Sequence, residues 1–234
     1  MLLRVGLENN NDDRSIAWAL EHPGCYAYGR DGGEAQSNLP QAVRDYAGWI
    51  ARHGASWLAA DLVEMDVEET FDVYFLDGSF ELAGRGPQTS MVESFFRHDW
   101  KPLTATDIQR ALQLLAWSRA DLLEVVKGLG PQQLNQTYGG ERWSINGILN
   151  HVGSAEWWYQ ERIGYPEPEN EADLAADPFE RLDATRAHFN ALLPKLEGVH
   201  KVIGLEGELW SPRKTVRRAL WHERDHTQHI RKLL

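Results

Sequence analysis

Cysteine is almost absent from this chain of 234 residues, since Cys25 is its one cysteine. A single cysteine excludes an internal disulfide framework and fits a reducing compartment. Long hydrophobic runs are missing too, because nowhere do about 20 apolar residues follow one another, so no membrane span is predicted. The N-terminal residues 1–6 turn polar too soon for a signal peptide. These absences predict a cytoplasmic protein that has no membrane partner.

Positive charge is also in short supply. Lys and Arg number 24 against 35 Asp and Glu, which gives a formal net charge of -11. This acidic balance argues against non-specific binding to nucleic acids or to anionic membranes. Hydrophobic residues make up 42% of the chain, which is enough for packed cores in two modest domains or one large one.

The first 97 residues show patterns that predict mixed α and β structure. Three short strands are predicted at residues 5–8, 15–20 and 26–29. A helix is predicted from residue 34 to 53, because apolar residues recur there at helical spacing. Clean alternation then predicts two strands, each with one wet face, at residues 63–67 and 71–75.

This half resembles the HicB-like fold of small antitoxin and orphan domains over residues 3 to 75. The resemblance lies in Ala17-Trp18-Ala19-Leu20, Pro23-Gly24-Cys25, Ala27-x-Gly29, and Gly33-Glu34-Ala35 running into Asn38 and Ala42. HicB antitoxins usually carry a DNA-binding module after this domain, and no such module is recognisable here. The resemblance implies a small α/β domain, and the missing module counts against an antitoxin role.

A stretch rich in glycine and proline, residues 78–102, separates the two halves and is expected to lie along a surface. The hydrophobic period changes across this stretch from two residues to 3.6. We therefore predict an α+β chain of two domains. Residues 1–97 form the small α/β domain with its linker, and residues 98–234 form a helical domain.

Four helices are predicted in the second domain. The residues that suit helix starts are Thr104 with Asp107, Ser144, and Ser211 with Pro212. The third helix is predicted from about residue 178 to 196, and Pro194 is expected to kink or shorten it. The fourth continues to the C-terminus, because neither glycine nor proline interrupts it after Pro212.

The fourth helix carries the pattern with the most chemical meaning. His222 and His226 lie four residues apart, which puts both imidazoles on one face about one turn apart. Two imidazoles at that spacing can hold one divalent metal, although an exposed polar face gives the same spacing. His229 has turned and risen away from that position. His151, on the inner side of the second helix, is the natural third ligand.

Residues 222–226 also spell the H-E-x-x-H motif of zincin metalloproteases. The third zincin ligand lies downstream of the motif, but only residues 227–234 follow here. Zincins also need an edge strand to hold the substrate, and none is near this helix in sequence. A metalloprotease therefore stays a remote alternative.

The second half resembles the DinB-like (DinB/YfiT) family of four-helix bundles over residues 104–234. The matching residues are Trp143-Ser144-Ile145-Asn146-Gly147-Ile148-Leu149-Asn150-His151, Glu156, Tyr159, and Trp221-His222-Glu223-Arg224-Asp225-His226-Thr227-Gln228-His229-Ile230. The family pattern places one histidine on the second helix and H-x-x-x-H on the fourth. The resemblance implies an up-down bundle with a divalent metal, zinc or nickel, on His151, His222 and His226.

The resemblance also implies a function, because characterised DinB-like relatives are bacillithiol S-transferases and a mycothiol-dependent isomerase. It predicts a metal-dependent thiol S-transferase or related detoxifying enzyme, with a low-molecular-weight thiol and a small electrophile as partners. The three histidines would act in catalysis through the metal, and the chain would form a homodimer. The alternative is a non-catalytic metal-binding and recognition module.

Further side chains near these motifs are candidates for supporting roles. Glu223 and Asp225 would orient the metal-binding histidines by contacts to their rings on the side away from the metal. Carboxylates of a thiol cosubstrate would bind to Arg217, Arg218 and Arg224, unless these arginines form an ordinary solvated face. An apolar pocket for the electrophile would be walled by Trp143, Trp157, Trp158 and Tyr159, although core filling is expected of at least two of them.

Overall fold

The structure of the protein, a computed structural model, describes residues 2–58 and 64–234. Contacts between Cα atoms divide the chain into two compact units. Unit 1 comprises Met1–Lys101 and Val202–Trp210, and unit 2 comprises Pro102–Lys201 and Ser211–Leu234. The N-terminal sheet and the helical C-terminal region confirm the predicted α+β class. The domain limits at residues 97 and 98 stay a prediction.

Unit 1 is organised around a four-stranded sheet and one helix. Its elements are β1 (Leu2–Asn11), β2 (Arg14–Ala19), β3 (Tyr26–Gly29), α1 (Gly32–Arg52) and β4 (Glu64–Asp72). The strand order is β3-β2-β1-β4, with β1 antiparallel to β2 and parallel to β4. Helix α1 packs on β2 and β3. Gly29 permits the close approach of β3 to α1, because a Cβ atom there would lie 2.1 Å from the backbone nitrogen of Ala35.

The later strands of unit 1 differ from the prediction. The sequence predicts separate strands at residues 63–67 and 71–75, whereas β4 is continuous and β5 (Tyr74–Leu76) belongs to another sheet. Val63 lies outside the described residues. The polar composition of residues 68–70 is typical of a loop. However, β4 is an edge strand, where charged side chains are tolerated because one side of the strand is unpaired. The HicB-like resemblance stays a prediction.

A three-stranded sheet and a hairpin complete the described part of unit 1. Strand β5 lies between β6 (Leu82–Ala83) and β7 (Ser90–Val92), and β8 (Ile203–Leu205) pairs with β9 (Glu208–Trp210). No hairpin is predicted from the sequence at residues 203–210. Part of the expected surface stretch is also core, because Val92, Ser94 and Phe96 are buried and the Ser94 hydroxyl donates to the Glu8 carboxylate. Glycine and proline indicate turns in this stretch, but they do not predict whether the residues between the turns are buried.

Unit 2 contains the four predicted helices and one further short helix. They are α2 (Ala105–Val126), α3 (Pro131–Leu134), α4 (Ile145–Arg162), α5 (Pro178–Leu192) and α6 (Pro212–Leu233). The predicted starts are confirmed, since a capping box precedes α2, Ser144 caps α4 and Ser211 caps α6. The predicted shortening at Pro194 is confirmed too, because α5 gives way to a 3₁₀ turn over Leu193–Leu196. Among the described residues, no helix is long and apolar enough to cross a membrane.

The order of the helices departs from the predicted up-down bundle at α4 and α5. Arg181 donates to the Ser154 hydroxyl, and further along both helices the His188 ring bonds to Gln160, so α4 and α5 run parallel. A parallel return must span the length of α4, about 27 Å at 1.5 Å per residue. The stretch 163–177 is long enough for that return, and it contains only a short 3₁₀ turn, Glu171–Asp173.

Helices α2 and α6 are also parallel to each other. Arg213 pairs with Asp107 near the start of both helices, and Glu223 pairs with Arg119 further along both. The bundle therefore runs up, down, down, up, because α4 is antiparallel to α6. This last relation follows from ring contacts: His226 lies 5.0 Å from His151, and the earlier His222 lies 6.0 Å from the later Tyr159.

Candidate metal centre

Three histidines from two helices converge at one place in unit 2. His151 on α4 and His222 and His226 on α6 each offer one ring nitrogen, and these three atoms all lie within 4.8 Å of one another. The Nε2 atoms of His151 and His222 are 3.0 Å apart. The ring centroids of His222 and His226 are 4.5 Å apart, as expected for residues one turn apart on a helix. The three predicted ligands are therefore brought together.

The donor set fits a divalent transition metal. Tetrahedral ligands about 2.0–2.1 Å from a zinc ion lie about 3.3 Å from one another. The separation of 3.0 Å between the two Nε2 atoms is near that value, and the nitrogen of His226 lies within 4.8 Å of both. Zinc and nickel both accept imidazole nitrogen readily. The three histidines are thus placed to bind one divalent metal ion.

Electrostatics favours the neutral ring form that a metal requires. Burial holds the pKa of His222 well below its usual value, and positive charge on His226, His151 or Arg218 would lower it further. Burial also lowers the pKa of His151, with a smaller effect from the charge of Arg142. Both rings are therefore unprotonated at neutral pH and keep a lone pair for a metal.

His229 lies beside the three-histidine cluster but is not part of it. Its Nε2 atom is 2.9 Å from a carboxylate oxygen of Glu141, in the loop before α4. Its ring centroid is 5.9 Å from that of His226. The side chain thus ties the end of α6 to that loop.

Trp143 covers one face of His151. The two rings are stacked with their centroids 4.6 Å apart and an angle of 28° between their planes. Gly147 makes room for this arrangement, because a Cβ atom there would lie 2.9 Å from the Cβ atom of Trp143. The guanidinium carbon of the exposed Arg142 lies 4.6 Å from the centroid of the Trp143 ring. The start of α4 therefore forms a wall of the histidine cluster.

A buried cluster of four charges lies next to the histidines. Arg119 on α2 donates to Glu156 on α4 at 3.0 Å and to Glu223 on α6 at 2.7 Å. Arg186 on α5 donates to the same two carboxylates at 2.5 Å and 3.0 Å. All four side chains are buried. We call these four residues the ion-pair cluster, and it joins all four long helices of the bundle.

The ion-pair cluster gives Glu223 a role different from the predicted one. Burial raises the pKa of Glu223, but the charges of Arg186 and Arg119 outweigh it and hold that pKa below its usual value. Both oxygens of the carboxylate are occupied by arginine donors. Glu223 therefore links α6, the helix that carries His222, to the arginines of α2 and α5. Its carboxylate bonds to these arginines and not to the ring of a predicted ligand.

Three of the four aromatic residues expected around the second helix separate into two groups. Tyr159 lines a small cleft beside His222, together with Val152, Ala219 and members of the ion-pair cluster. Trp157 is buried and its Nε1–H donates to the carbonyl of Pro168, at a distance of 2.8 Å. Trp143 and Tyr159 thus lie at the histidines, whereas Trp157 fixes the loop after α4.

Two of the three α6 arginines considered above do not form a solvated face, whereas Arg224 is half-buried. Arg217 and Arg218 are buried, and the guanidinium of Arg218 lies over the ring of Trp221, 4.3 Å from its centroid. Asp225 is only partly exposed. Arg142, which carries no signal in the sequence, is exposed in the loop before α4, and its charge acts on His151.

The family model of the DinB superfamily matches residues 114–230, which is half of the chain. The chain therefore belongs to the DinB superfamily, as its resemblance implied. No curated protein matches it. One similar solved structure is YfiT from Bacillus subtilis, described as "a probable metal-dependent hydrolase with an unusual four-helix bundle topology". It shares 18% sequence identity with this chain and covers 56% of this chain and 87% of its own, with a TM-score of 0.43.

Proposed function

We propose that this protein is a metal-dependent thiol S-transferase or a related small-molecule detoxifying enzyme. The observation that carries the proposal is the convergence of three histidine nitrogens within 4.8 Å of one another. A divalent ion, zinc or nickel, held by these neutral ligands would act as a Lewis acid that lowers the pKa of a thiol. The thiol dependence of characterised DinB-like proteins supports this choice of substrate.

The surrounding residues have separate tasks in this proposal. His151, His222 and His226 would hold the metal in their neutral forms, without neutralising its charge. Trp143 shields one face of His151 from water. Val152 and Tyr159 are buried beside His222 and would keep water from that side of the metal.

The contacts of Glu223 argue against the metalloprotease alternative. In an H-E-x-x-H protease the glutamate acts as a general base near the metal. Here both carboxylate oxygens accept hydrogen bonds from buried arginines, whose positive charges favour the unprotonated form and make it a weak base. The non-catalytic metal-binding module remains the alternative to the transferase, and the homodimer stays a prediction.

We expect metal-loaded wild-type protein to transfer at least one of four thiols, bacillithiol, mycothiol, glutathione or cysteine, to a chromogenic electrophile. His222→Ala should reduce the rate by at least about a hundredfold, because Lewis-acid activation contributes several kcal/mol. The rate is measured from the absorbance change. His229→Ala is the matched control on the same helix and should keep most of the activity. Wild-type rates equal to those of His222→Ala with all four thiols, in protein that binds metal, would favour the non-catalytic module.

A further inference from the structure

The three histidines of unit 2 differ in how far they are exposed. His222 is buried, and so are Val152 and Tyr159 beside it. His151 and His226 are only half-buried. A metal ion in solution would therefore reach the cluster past His151 and His226, so the residues that cover these two rings decide how easily the ion enters.

The loop before α4 is attached to the bundle next to both of these rings. A carboxylate oxygen of Glu141 lies 2.9 Å from Nε2 of His229 on α6, and the ring centroid of His229 is 5.9 Å from that of His226. Two residues after Glu141, the ring of Trp143 stacks on His151 of α4 with the centroids 4.6 Å apart. The short segment that contains Glu141 and Trp143 therefore bridges α6 and α4 at the histidines.

This segment lies in a loop that is built to move between two fixed points. Residues 135–144, all of which the structure describes, contain neither helix nor strand. Gly139 and Gly140 are exposed, and Gly140 has a φ of 83°, which glycine adopts without strain. Before them Tyr138 packs against the hydrophobic core of the bundle, and after them Ser144 caps α4. The two glycines are thus placed to act as a hinge.

We propose that residues 139–143, here called the strap, open and close over the metal centre and set how fast a metal ion enters and leaves it. Opening breaks the contact between Glu141 and His229 and moves Trp143 away from His151. Both contacts are at a partly exposed rim, so opening is a local fluctuation that leaves the bundle folded. The strap provides no metal ligand, so its opening speeds entry and exit alike and leaves the affinity unchanged. This inference rests on the metal centre of the proposed function, but not on thiol chemistry.

The rate of zinc release from the full-length, zinc-loaded protein tests the proposal. Release into an excess of the chelator pyridylazoresorcinol is followed by absorbance. His229→Ala and Glu141→Ala should each release zinc about threefold faster than wild type, since a partly exposed ion pair stabilises the closed strap by about that factor. The double variant should be no faster than either single variant, because both substitutions remove the same contact.

Tryptic cleavage of the metal-free protein measures strap opening directly. Arg142 is exposed within the strap, and trypsin needs the surrounding backbone to open before it cleaves after this residue. Mass spectrometry should show fragments that end at Arg142 forming about threefold faster in His229→Ala than in wild type, for the same reason. His229→Ala is used here because it leaves the sequence around the cleaved bond unchanged. Gln228→Ala, an exposed neighbour on α6, is the matched control and should behave as wild type in both experiments.

The outcomes separate the strap from the metal centre. Slower zinc release in His229→Ala would overturn the proposal, because it would mean that His229 and Glu141 pass the ion to His226. Accelerations that add up in the double variant would overturn it too. Zinc binding with release and cleavage unaffected by His229→Ala would refute the strap alone. A protein that binds no zinc would refute the proposed function and, with it, this role of the strap.

Discussion

Replacing His222 with alanine is expected to weaken zinc binding by at least about a hundredfold. Loss of a residue that merely supports a ligand costs 10–100-fold in affinity, so removal of a ligand itself should cost at least as much. The affinity is measured by isothermal titration calorimetry on the full-length protein. Circular dichroism checks that the variant is folded, because His222 is buried and its removal leaves a small cavity.

His229→Ala provides the control for this result. The residue is on the same helix, but it contacts Glu141 at the rim and lies outside the three-histidine cluster. Its zinc affinity should stay within about threefold of wild type, a difference of less than 1 kcal/mol. Equal losses in His222→Ala and His229→Ala would mean that the ligand set is wrong.

Replacing Arg186 with leucine is expected to lower the free energy of unfolding by about 3–5 kcal/mol. Its guanidinium donates to Glu156, to Glu223 and to the carbonyl of Leu115, so the substitution leaves two buried carboxylates with a single arginine between them. Guanidinium chloride denaturation followed by the helical circular dichroism signal measures the change.

A surface substitution and a double variant sharpen this test. Lys127→Leu breaks an exposed pair with Glu124 and should change the stability by less than about 1 kcal/mol. The double variant Arg186→Leu/Glu223→Leu removes one charge of each sign and leaves Arg119 paired with Glu156. It should be more stable than Arg186→Leu alone. A single variant within about 1 kcal/mol of wild type would show that the ion-pair cluster does not hold the bundle together.

The features that the sequence predicted well depend on local physics. Helix starts were predictable at Thr104, Ser144 and Ser211, because a capping side chain acts on N–H groups two or three residues away. The pair His222 and His226 was predictable for a similar reason, since helical geometry alone brings residues four apart together. Predicting His151 as the third ligand needed the family resemblance as well as the inward-facing position of His151 on its helix.

The direction of α5 was not predictable, because helical periodicity does not encode whether a helix runs parallel or antiparallel to its neighbour. The ion-pair cluster did leave a signal in the sequence. Arg119 stands between Leu115 and Leu122, and Arg186 stands between Leu182 and Phe189, each on a stripe of buried apolar residues. Charges at core positions on several helices, with equal numbers of each sign, indicate buried pairing.

Strand β4 and the β8–β9 hairpin show a second limit of the sequence. The polar residues of an edge strand have the composition of a loop. The continuous strand β4 becomes evident only from its pairing with β1 in the structure. The hairpin consists of strands of three residues, which are too short for a hydrophobic period to stand out.

The metal content of wild-type protein purified without added metal tests the central claim most directly. We predict about one divalent ion per chain, bound by the three histidines, and essentially none in a His151→Ala/His226→Ala variant purified in parallel. Inductively coupled plasma mass spectrometry measures the amount and identifies the ion. Wild-type protein that holds no more metal than this variant, even after incubation with zinc or nickel, would contradict the account.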